Sequence, residues 1–99
     1  MKLLKINIIE YSDEHFPAYV TCSFIDVFGK IWYIDEKAPV VSSDNITKKT
    51  KLPITGYAAG EIISQNKDIV CFCTEKPWGI ESRDGENKFF VNENQIIDK

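Results

Sequence analysis

The chain is 99 residues long, 43% hydrophobic, 27% charged and 12% aromatic, which is room for one domain with one core and not for two. Its net charge of −3 argues against a generally basic nucleic-acid binder, which needs a Lys/Arg surplus on at least one face. Five glycines and four prolines require neither a disordered nor a low-complexity segment.

Residues 3–10 alternate, with Leu4, Ile6 and Ile8 on one side and Lys5 and Asn7 on the other, the period of a half-buried strand. Lys5 and Asn7 also interrupt the opening apolar run, and no small-residue cleavage site follows, so no signal peptide is expected. A polar connector over residues 12–17 ends in Pro17, which discourages a helix through Phe16. Residues 19–27 are the next predicted strand, placing Val20, Cys22 and Phe24 on one face. Asp26-Val27-Phe28-Gly29 has Asp first and Gly fourth, the pattern of a type I turn closed by a left-handed glycine. It should return the chain as a hairpin through residues 30–35.

Val40 and Val41 read as a short edge segment, because Pro39 bars this stretch from the middle of a sheet. Pairing between copies along that edge is a route to a homo-oligomer. Residues 42–53 lack an apolar rhythm and carry Lys48, Lys49 and Lys51, so they are predicted to be an exposed loop. Extended structure resumes over residues 54–64. There Gly56, Ala58 and Gly60 share one face with little side-chain bulk, which suits a tight bend or a closely packed strand.

After a turn at Asn66-Lys67-Asp68 comes the most apolar strand, residues 69–74, with Ile69, Cys71 and Cys73 on one side and Val70, Phe72 and Thr74 on the other. Apolar residues on both sides predict a strand covered on both faces, or one at the middle of a small barrel. A second turn at Ser82-Arg83-Asp84-Gly85 leads into a strand through Val91, and Gln95-Ile96-Ile97 closes the sheet after a last turn. No window has helical periodicity; at most a single turn is expected near Asp13 or Asn92. The predicted fold is all-β: one domain over residues 1–99, a small barrel or strongly bent antiparallel sheet of about seven short strands.

The chemistry-bearing residues are few. Cys22, Cys71 and Cys73 with His15 have the types of a zinc site but not its spacing, and no metal or other cofactor is expected. An odd count of cysteines without a secretory address reads as reduced thiols in a cytoplasmic protein. His15, the only histidine, is the sole candidate base for a cysteine nucleophile, and Asp35, Glu36, Glu75, Glu81 and Asp84 fall at strand ends and turns; the chain is not expected to be an enzyme. No stretch approaches the length of a membrane span, so no membrane partner is expected.

Two surfaces remain. Trp78 lies between Pro77 and Gly79 with Glu75 and Glu81 close by; it is either a lid over the core or an exposed anchor for a partner, and the acids would favour a basic partner surface. The loop lysines Lys48, Lys49 and Lys51, with Trp32, Tyr33 or Tyr57 nearby, are the alternative: a single-stranded nucleic-acid site on a small barrel. The strand spacing, turn types and size resemble SH3-like small barrels. A small acidic β domain without catalytic residues is also similar in character to bacterial immunity proteins. That resemblance implies a protein-binding inhibitor that plugs a toxin's active site.

Overall fold

The computed structural model describes residues 1–14 and 17–99. Seven strands form one antiparallel sheet: β1 (Lys2–Ser12), β2 (Tyr19–Ile25), β3 (Ile31–Lys37), β4 (Ile54–Asn66), β5 (Ile69–Cys73), β6 (Lys88–Asn92) and β7 (Ile96–Asp98). The path runs β3-β2-β1-β4-β5-β6, with β7 beside β1. β1 is long enough to serve two neighbours along one edge: Lys2–Leu4 pair with β7, and Asn7–Ser12 with β2. Its other edge takes β4 from Ile54 to Gly60.

β4 then passes from β1 to β5, pairing there from Glu61 to Asn66 across an irregularity between Ile62 and Ser64. The handover is at Gly60, where a Cβ would overlap the Cys73 carbonyl oxygen and come within 2.6 Å of the Phe72 ring. The absent side chain is what lets the sheet curl so tightly there.

Alternation decides which side is core. Leu4, Ile6 and Ile8 of β1, Val20, Cys22 and Phe24 of β2, and Val70 and Phe72 of β5 are all buried, as the period-2 pattern requires. The two ends of the path, β3 and β6, meet through side chains rather than a ladder. Phe89 of β6 takes Phe24 and Trp32 edge-on, each with centroids 5.1 Å apart. The result is a curled, half-barrel sheet.

The turn at residues 26–29 forms as expected. The Gly29 amide donates to the Asp26 carbonyl at 3.1 Å, and Gly29 has φ +82°. The Asp26 carboxylate accepts from the Phe28 and Lys30 amides and from the Trp32 indole, each at 2.9 Å. Residues 82–85 repeat the geometry, with the Gly85 amide on the Ser82 carbonyl at 2.8 Å and Gly85 at φ +86°.

Three expectations change. Val40 and Val41 are not an edge segment: Ala38–Val41 is a single helical turn, α1. Pro39 sits in its first turn, where a missing N–H costs nothing, and Val41 is buried against β4. Gly56 makes room for it, because a Cβ there would lie 3.0 Å from the Val41 carbonyl oxygen. An oligomer through that edge therefore has no strand to form it. β5 is covered on one face only: Val70, Phe72 and Thr74 are buried, whereas Cys71 and Cys73 are half-buried and Ile69 is exposed. Finally, the strand of residues 19–27 ends at Ile25, where the turn begins. The turn foreseen near Asn92 is a 3-10 helix at Glu93–Gln95, closed by a reciprocal capping box between Asn92 and Gln95.

Candidate functional site

The segment from 74 to 87 joins β5 to β6 without regular structure, yet its backbone is fixed. Thr74, fully buried, donates its amide to the Asn87 carbonyl at 2.8 Å and its hydroxyl to the Ile80 carbonyl at 2.5 Å. The Ile80 amide returns to the Thr74 carbonyl at 3.0 Å, and the Gly79 amide to Glu75 at 2.7 Å. Ile80 is fully buried beneath. The stretch from Thr74 to Ile80 is thus a braced bracket, and Trp78 projects from it 60% exposed.

Trp78 is not a lid over the core. It borders a groove of about 180 Å³ with Pro39 and Val40 of α1, Tyr57 and Ala59 of β4, and Leu3 of β1. Leu3 and Ala59 are cross-strand partners on the face turned away from the core, so this groove is a small apolar site on the outside of the sheet.

Glu81 lies elsewhere, in a cleft of about 310 Å³ shared with Asp35, Glu36 and Arg83. The Arg83 guanidinium makes a bidentate pair with Asp35 at 2.8 and 2.9 Å, and the Thr21 hydroxyl adds a third bond at 2.8 Å. The Arg83 hydrogen bonds first, and that of Thr21 against some burial, hold the Asp35 carboxyl below the usual carboxylate range. Glu75 is exposed on the bracket. The three residues singled out in the sequence therefore share one loop, with Trp78 and Glu81 opening onto different depressions.

The loop lysines are exposed, but Lys48 is paired with Asp13 at 2.9 Å. The aromatics that would stack bases beside them are engaged elsewhere. Trp32 packs on Phe89 beneath Lys30, Tyr33 lies under Arg83, and Tyr57 lines the Trp78 groove.

Cys22 is in the core, where burial first, and then Asp35 and Glu36, push its thiol up to about 12; a nucleophile needs the opposite shift. Cys71 and Cys73 are free thiols on the outer face of β5. No group of three metal-ligating side chains occurs among the described residues, and His15 lies outside them. A groove of about 770 Å³ runs between Tyr11, Asp13, Pro39, Asp44 and Ile46. No described helix is long and apolar enough to cross a membrane.

A surface that the sequence reading passed over lies around the first hairpin turn. Phe28, at its third position, packs edge-on against Phe90 of β6 with centroids 6.0 Å apart, and both rings face solvent.

Compared with protein-family models, curated proteins and solved structures, the chain matches none. What it does has to be argued from its own surfaces.

Proposed function

We propose that the domain is a non-catalytic protein-binding module whose contact platform is the segment from 74 to 87, in its most concrete form an inhibitor of the immunity type that covers the working surface of a toxin. The observation that carries this reading is Trp78, 60% exposed on a backbone that four hydrogen bonds and a buried isoleucine hold in place. A large ring presented on a rigid support loses little entropy on binding, which is how anchors at tight interfaces are built. The segment carries four acids, Glu75, Glu81, Asp84 and Glu86, against Lys76 and Arg83, and Arg83 is already committed to Asp35. Such a surface steers a basic partner. Three free thiols suit a reducing, cytoplasmic setting for that encounter.

Affinity capture from the source cell identifies the partner, and titration calorimetry measures it. Trp78→Ala should weaken binding by about thirtyfold or more, the loss of a central aromatic anchor. Glu81→Lys should act on the association rate, slowing it several-fold at low salt with less effect at high salt. A partner that binds both variants as well as the wild type does not use this surface.

A further inference from the structure

We propose that the outer face around Phe28 and Phe90 is a second contact surface, independent of the Trp78 platform, and that its occupant is another copy of this chain. Phe28 is 77% and Phe90 48% exposed, and neither ring is loose. The Val27 amide donates to the Phe90 carbonyl at 3.0 Å, tying the hairpin tip to β6. The Asp26 carboxylate fixes the turn beneath Phe28. Around the two rings lie Ile25 and Ile31, cross-strand partners at the base of the turn, Cys71, the partner of Phe90, and Ile69 further along β5.

The five large side chains, Ile25, Phe28, Ile31, Ile69 and Phe90, expose on the order of 500 Å² of apolar surface between them. A standard interface takes about 800 Å² from each partner, a little over half of it apolar. This one patch therefore supplies the apolar share of a stable interface, and it has the size of the largest apolar patch on a monomer, which is often a functional one.

Charge distinguishes a second copy from a foreign partner. The cross-strand row on one side of Phe90 is Glu61, Cys73 and Lys88, one residue of each sign; the row on the other side is Asn66, Ile69 and Asn92, uncharged. Lys30 is drawn over the Trp32 ring at 3.8 Å, and Asp26 is committed to the turn and to Trp32. A patch with no excess of either sign can face its own image across a twofold axis, whereas the acidic platform at 74–87 would repel its own copy.

Sedimentation velocity and light scattering of the full chain, from micromolar to near-millimolar concentration, test this. The expected result is a reversible dimer. Phe28→Asp and Phe90→Lys should each raise its dissociation constant by about tenfold or more, while Trp78→Ala leaves it unchanged. Phe28 touches little of the core, so its variant keeps the fold, as far-ultraviolet circular dichroism will record. A monomer at every concentration overturns the proposal and leaves the patch to a foreign protein; a dimer indifferent to both substitutions overturns it as well. Binding of a captured partner through Trp78 is read separately and stands or falls on its own.

Discussion

Gly60 and Gly56 are both tight, but what each would strike differs. At Gly60 the obstacle is the Cys73 carbonyl oxygen, part of a paired strand, backed by the buried Phe72 ring at 2.6 Å. At Gly56 the nearest atoms are the end of the Ile8 side chain, at 2.8 and 2.9 Å. Gly60→Ala must shift backbone and should cost about 3 kcal/mol, as overpacking a closed core does; Gly56→Ala can be partly absorbed by a new Ile8 rotamer and should cost less. Urea unfolding of the two variants checks the order, and equal midpoints would show that the sheet is not pinned at residue 60. This constraint was legible in the sequence, where Gly56, Ala58 and Gly60 share a face. Phe28 was equally visible and went unread. Hydrophobic bulk in a turn that polar residues favour marks a side chain kept for something other than the turn.

Among the elements, β3 closes one end of the strand path, and its free edge is partly covered. The Arg83 amide donates to the outward Tyr33 carbonyl at 2.7 Å, and the Arg83 guanidinium, paired with Asp35, lies 5.1 Å from the Tyr33 ring. An exposed edge is a template for pairing with other chains, and a charged turn laid across it is one way proteins prevent that. Arg83→Ala should therefore leave the urea midpoint almost unmoved, since an exposed ion pair adds little, and yet shorten the lag before aggregation on gentle heating. Lys76→Ala, a cation on the same segment, is the control, and equal lags for the two would remove Arg83 as the guard of the edge. None of this was readable from the sequence, because the partners are 48 residues apart. The hairpin turns were readable, since their geometry is written in four consecutive residues. Val40 and Val41 were misread because β-branched residues after a proline suit an edge strand, and only the space left by Gly56 makes a buried helical turn the better solution.

At the scale of the whole molecule, the half-barrel is tied across its opening at two seams, one from the hairpin tip to β6 and one from the 74–87 segment to β3, and each seam depends on one carboxylate. Asp26 orients the hairpin tip whose Val27 amide reaches Phe90; Asp35 holds Arg83, whose amide reaches Tyr33. Both carboxyls lie below their ordinary value. For Asp26 burial works the other way but is outweighed by the Trp32 indole and the Lys30 and Phe28 amides; for Asp35 the Arg83 hydrogen bonds lead. A depressed folded-state value means that the stabilisation is complete above the unfolded value near 4, and is lost as pH falls through the lower folded one. Stability should thus be level from neutral pH to about 5 and decline below about 4. Asp26→Asn and Asp35→Asn should each start lower at neutral pH and lose less on acidification, so that the urea midpoints of variants and wild type converge by about pH 2. Midpoints that stay parallel across the range would mean that neither carboxylate is charged for the sake of the fold, and that the aromatic contacts on Phe89 hold the two ends together unaided.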